Sequence, residues 1–91
     1  MIVEWNERKA ASNLRKHGVS FEEAATALTD SAAITFFDEK PRAEEREITI
    51  GHSARDRLLL VVHTERSRDV IRIISSRKAN RNERRTYEEG I

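Results

Sequence analysis

The spacing of apolar positions changes three times along the chain, and each change marks an element. The segment "NERKAASNLRKHG", Asn6 to Gly18, reads as a complete short helix. Asn6 caps its free amides, Glu7 suits the first turn, and Arg15, Lys16 and His17 suit the last. Gly18 supplies the left-handed residue that closes it. A second helix starts at Ser20, which forms an S-x-x-E capping box with Glu23; Phe21, Ala24, Ala25 and Leu28 make its buried stripe. Beyond Asp30 and Ser31, "AAITFF" (32–37) reads as a strand and "DEKPRAEE" as a mobile loop. "REITIG" alternates cleanly, with Ile48 and Ile50 on one face. A turn over 51–56 leads into a longer strand, Leu58 to Glu65, and the last strand spans Val70 to Ser76. Asn80 and Glu83 are a further N-cap pair, so a closing helix is expected over Arg81 to Glu89. The order ααββββα with short connections predicts an α+β fold in one domain, residues 1–91. It consists of two N-terminal helices, a four-stranded antiparallel meander with helices on its apolar face, and a C-terminal helix.

The hairpin between the last two strands sets the expected register. If Arg66-Ser67-Arg68-Asp69 is a four-residue loop, Glu65 faces Val70, Thr64 faces Ile71, His63 faces Arg72 and Val62 faces Ile73. Leu58, Leu60, Val62, Thr64, Ile71 and Ile73 then form a core face. Leu59, Val61, His63, Glu65, Val70, Arg72 and Ile74 share the other. An odd-length loop would drive Arg72 into the core side, which is costly for a guanidinium, so this register is preferred.

Composition narrows the classes. The chain is 37% hydrophobic and 36% charged, so its core must be lean. It has no cysteine, which excludes disulfides and thiolate chemistry. No apolar run suits a membrane span, and "MIVEWNERKA" lacks the apolar centre of a signal peptide, so a cytoplasmic location is expected. Net charge is only +1, but it is segregated. Residues 20–56 hold nine acids against four bases, whereas residues 66–85 hold eight bases against two acids. Such a basic stretch attracts polyanions.

The hairpin surface carries the parts needed to cut RNA without a metal: a base for the 2′-hydroxyl, an acid for the leaving oxygen, and cations for the charge on phosphorus oxygens. His63 or Glu65 suits the base, and Arg66, Arg72 and Arg77 suit the phosphate. Arg77 follows the last strand and precedes the last helix, where helix amides and a guanidinium can act on one phosphate. Lys78, Arg81 and Arg84 extend the basic surface toward RNA. The competing reading pairs the same residues as ordinary cross-strand ion pairs, with Arg77 bracing nearby acids. Leu59, Val61, Val70 and Ile74 beside arginines form an apolar face suited to a partner. Tyr87, one turn from Arg84, serves packing, partner contact or proton donation, with packing preferred. His17 complements the helix dipole, and Trp5 is a core or interface anchor. The three histidines lack metal-ligand spacing and there is no glycine-rich phosphate loop, so neither metal nor cofactor is expected.

The segments "EW", "NLRKHGVSFEEA", "ITIG", "RLLLVVHTER", "RIISSR" and "ERRTYEE" resemble, in order and over nearly the whole chain, the BrnT toxins of bacterial type II toxin–antitoxin systems. The family pattern falls on Trp5, Lys16-His17-Gly18, Arg46, Arg57, Thr64 to Arg66, Arg72, Ser75, Arg77, Glu83 and Tyr87. Asn6, Asp56 and Ser76 depart from it at conformational positions. The resemblance implies a RelE-like ribonuclease fold, cleavage of RNA that stops translation, and neutralisation by a BrnA-like antitoxin. That antitoxin would carry a ribbon–helix–helix part, so operator DNA would be reached only through it. Two other functions fit the residues: a non-enzymatic RNA-binding module, and an interaction protein that seats a partner on its apolar face.

Overall fold

The computed structural model describes residues 1–90. Its elements are β1 (Ile2–Trp5), α1 (Glu7–His17), α2 (Phe21–Ala27), β2 (Ile34–Phe37), β3 (Glu47–His52), β4 (Leu58–Ser67), β5 (Val70–Lys78) and α3 (Arg81–Glu89). The capping signals act largely as read. Asn6 Oδ1 accepts from the Arg8 and Lys9 amides, Gly18 closes α1 at φ 70°, and Asn80 with Glu83 forms a complete capping box. At α2 the box is half made: Ser20 Oγ accepts from the Glu23 amide, but the Glu23 carboxylate turns to Arg57 and Ser53 instead. A charged partner holds an ionised carboxylate more strongly than a backbone amide does.

The sheet is five-stranded and mixed, in the order β1-β5-β4-β3-β2, rather than a four-stranded meander. The added strand is β1, which pairs in parallel with β5, Ile2 opposite Val70 and Trp5 opposite Ile73. Its four residues are too few for a periodic signal, and its partner lies at the far end of the chain.

The β4–β5 register also departs from expectation. A tighter turn puts Ser67 opposite Val70, with Asp69 in the left-handed region that a short polar residue tolerates. Two register shifts follow, one between Glu65 and Ser67 and one between Val62 and His63, where Ile74 is the extra residue on β5. His63 therefore faces Ile73, and Thr64 faces Arg72. Directly paired residues share a face, so His63 and Arg72 lie on opposite sides of the sheet.

Both faces are covered in part. On one, α1 and α2 bury Leu59, Val61 and Ile73 against Val19, Phe21, Ala24 and Ala27, with Trp5 edge-on to Phe21 at 6.1 Å. On the other, Ile50, Leu58 and Leu60 pack with Ile48, Val62, Ala79 and Tyr87 under α3. Gly51 lets the end of α2 approach the sheet: a Cβ there would lie 2.5 Å from the Ala27 carbonyl oxygen.

One polar side chain fastens the helical layer. Asn13, buried on α1, donates from Nδ2 to the Val19 and Ser76 carbonyls, each at 2.9 Å, and accepts from the Ser76 amide at 3.1 Å. β1 reaches along β5 only as far as Ile73. Beyond it, the Asn13 amide takes the bonds that a neighbouring strand would make. Asn13→Ala leaves three buried backbone groups without partners, each worth about 1–3 kcal/mol. It is expected to lower unfolding free energy by about 3 kcal/mol, measured by urea denaturation; a loss below about 1 kcal/mol would show that solvent replaces the amide.

Candidate functional site

The sheet face opposite α1 and α2 carries a groove of about 410 Å³, floored by Phe36, Ile48, Leu60 and Val62. These residues share a face because Phe36 pairs with Ile48 and Ile48 with Val62. Lys40 and Arg42 enter it from the loop after β2, Arg46 from just before β3, Arg77 from β5, and His17 from the end of α1. His17 follows Asn13 by one helical turn, so the clamp on Ser76 also carries the imidazole to Ser75 and Ser76. Four cations thus face two carboxylates, Asp38 and Glu83. Arg42 is 3.3 Å from Asp38. Arg46 is half-buried, and its Nε, removed from solvent, has no hydrogen-bond partner.

Arg77 presents its guanidinium fork to Glu83, Nη1 and Nη2 each donating to a carboxylate oxygen at 2.9 Å, and Nη1 also donates to the Lys78 carbonyl at 3.2 Å. Glu83 raises the Arg77 pKa above its ordinary value. Burial pushes the Glu83 carboxyl up, but the bonds from Arg77 and the Asn80 amide outweigh it and hold the group below its usual range. The bidentate carboxylate occupies the geometry a phosphate would take. It is also the pair that a bracing role requires, on a helix start rather than a loop.

The hairpin assembly does not form as expected. His63 is 3% exposed on the helix-covered face, where its Nε2 lies 2.7 Å from Thr49 Oγ1 and its Nδ1 has no hydrogen-bond partner. Glu65 and Arg66 are exposed near the hairpin tip. Arg72 lies on the opposite face from His63 and donates to Glu4 of β1 at 3.0 Å. Of the five residues named for catalysis, only Arg77 lines the groove. His63 and Arg72 are parted by the shift between Glu65 and Ser67, where Arg66 is the extra residue on β4, which alternation alone does not reveal.

Among the basic residues assigned to RNA, Lys78 and Arg84 flank a separate hollow of about 240 Å³ with Arg57, and Arg81 is exposed at the start of α3. The apolar partner face is corrected too. Leu59 and Val61 are 0% exposed beneath α1 and α2, and Val70 and Ile74 are half-buried. Tyr87 packs on the Ile50 cluster and donates to Asp30 at 2.7 Å, which raises its pKa. The charged groove residues that the sequence reading left without a catalytic role include His17, Lys40, Arg42, Arg46 and Glu83. The family pattern covered His17, Arg46 and Glu83; the position of Lys40 and Arg42 in a proline-containing loop gave no signal.

Residues 5–83 match the family described as "Ribonuclease toxin, BrnT, of type II toxin-antitoxin system". The chain belongs to this family. Its function is therefore that of a ribonuclease toxin, with RNA as substrate and an antitoxin as partner. The structure is similar to the crystal structure of the Brucella abortus ribonuclease toxin BrnT, with a TM-score of 0.68 and 25% identity over 89% of this chain and 99% of that one. No curated protein sequence matches. No helix among the described residues is long and apolar enough to cross a membrane.

His63, outside the groove, gives stability a pH dependence. Burial lowers its folded pKa below the unfolded value of about 6.5. Stability is then complete above that value and is lost as pH falls through it toward the folded pKa, because the unfolded chain binds the extra proton. Glu23 and Asp30, whose carboxyls are also depressed, act only at lower pH. Unfolding free energy should fall between pH 7 and 5 in the wild type and stay nearly flat in His63→Gln. Equal slopes in the two proteins would assign the loss to other groups.

Proposed function

We propose that the basic groove is where this toxin cuts RNA, without a metal, by attack of the 2′-hydroxyl on its own phosphate. The observation that carries this reading is the convergence of Lys40, Arg42, Arg46 and Arg77 on one groove, with an unpartnered Arg46 Nε at its wall. Arg46 and Arg77 meet the charge that builds on the nonbridging oxygens. His17 delivers the proton to the leaving 5′-oxygen. A phosphate that takes the Arg77 fork frees Glu83, which then accepts the 2′-hydroxyl proton. His63 and Glu65 do not line this groove, so proton transfer falls to residues that do. Lys78, Arg81 and Arg84 extend the phosphate-binding surface around α3. The partner on this reading is a BrnA-like antitoxin with a ribbon–helix–helix part, through which the pair reaches operator DNA in the cytoplasm.

Purified protein incubated with RNA in chelator is expected to yield 2′,3′-cyclic phosphate and 5′-hydroxyl ends. Arg46→Ala and Arg77→Lys should each lower turnover by about 10²–10³, the usual loss for a positioned transition-state donor. Lysine keeps the Arg77 charge but not the planar fork. The bidentate Glu83 pair supports a second role for Arg77, as a brace for α3, in which Arg77→Lys lowers the melting temperature and leaves turnover intact. Wild-type turnover in Arg46→Ala as well would remove the groove from the reaction.

A further inference from the structure

Beside the free edge of the sheet lies a second hollow of about 410 Å³, opposite in charge to the groove. It is lined by Phe37, Glu44, Glu45, Glu47, Thr64 and Glu65. None of its four carboxylates lies within 4.0 Å of a lysine or arginine nitrogen among the described residues. Glu47 Oε1 has only the His63 Nδ1 nearby, at 4.0 Å, and that nitrogen, on a side chain buried beneath the hollow's Glu47, lacks a hydrogen-bond partner. Four carboxylates without an internal cation call for an external one. Polyanions are repelled, so RNA is the wrong occupant here.

The wall of the hollow is Phe37, 63% exposed, at the end of edge strand β2. β2 pairs on one side only, with β3, so its outer edge offers unpaired backbone groups to an incoming strand. Successive residues of β2 point to opposite faces: Phe36 to the basic groove and Phe37 to the acidic hollow. A strand added along β2 inherits that alternation. Its side chains must alternate between the two sites, basic ones entering the hollow and acidic or apolar ones lying over the groove.

We propose that the antitoxin neutralises this toxin by adding an extended segment to the free edge of β2, with a lysine or arginine seated among Glu44, Glu45, Glu47 and Glu65. Main-chain bonds supply affinity and the two oppositely charged sites fix register and polarity, as in other strand-addition complexes. The proposal rests on the groove reading only for how inhibition follows; the docking itself is measured independently.

The test uses the toxin in complex with its antitoxin. Hydrogen exchange is expected to show amides of Ile34–Phe37 protected on complex formation. The double substitution Glu44→Lys with Glu45→Lys, at exposed loop positions, should weaken binding by about tenfold or more at low salt, an effect that shrinks as salt rises, while the free toxin still cuts RNA. Unchanged exchange at 34–37, or unchanged affinity in the double variant, overturns the proposal. Protection of 34–37 in the toxin alone, growing with its concentration, gives the edge to a second copy of this chain and also overturns it. If Arg46→Ala keeps full turnover, the groove reading fails, but the exchange and affinity results still decide the docking.

Discussion

The amide of Asn13 is the contact on which the arrangement of the site depends. It satisfies the Ser76 N–H and C=O past the point where β1 ends, so the edge of β5 does not have to find water beneath α1. The same bonds fix α1 in translation and rotation over β5. A helix held at one residue carries its next turn with it, and the next turn ends at His17. Arg57 secures the far side of this joint, donating to the Gly18 carbonyl at 3.1 Å and to the Glu23 carboxylate, whose pKa it lowers. A side-chain amide standing in for a strand therefore sets the distance between an imidazole on a helix and a guanidinium on the sheet. Hydrogen bonds of this kind contribute modestly to net stability, yet leaving their partners buried and empty is expensive. That asymmetry makes the joint specific.

Charge in this protein is organised by strand alternation more than by sequence segment. Residues 20–56 are net acidic, yet they supply Lys40, Arg42 and Arg46 to the basic groove. The acids of the same stretch, Glu44, Glu45 and Glu47, line the hollow beyond Phe37. The loop after β2 folds back so that its Asp38 amide bonds the Arg46 carbonyl at 2.8 Å, closing the hairpin and separating its two kinds of charge. A near-neutral molecule can in this way present a basic groove and an acidic hollow within one hairpin of each other.

Helices were legible because their signals are local. Asn6, Gly18, Ser20 and Asn80 each act on amides or carbonyls a few residues away, and all four behave as their chemistry dictates. The strands β2 to β5 were legible in position but not in register. Arg66 is one charged residue among several at a hairpin tip, and nothing in its neighbours marks it as the extra residue that puts His63 and Arg72 on opposite faces. β1 was hidden for a different reason: Ile2 to Trp5 acquires strand character only from Val70 to Ile73. Arg77, expected between the last strand and helix, lies within β5 opposite Leu60, whereas Arg46 and His17 join it only through pairings distant in sequence. Glu23 shows the limit of local motifs, since a capping position was overridden by an arginine 34 residues away.

The pairing of Ile2 with Val70 has a consequence for how the protein comes into being. A chain emerging from the ribosome holds β1 and α1 long before it holds their partner, and Asn13 must wait for a residue 63 positions later. The groove itself draws on His17 at one end and Glu83 at the other. Contacts of such long range form late, because the intervening loop must close first. The nascent toxin thus has no assembled groove while most of it is still being made. Synthesis of the chain and assembly of the groove are thereby separated in time.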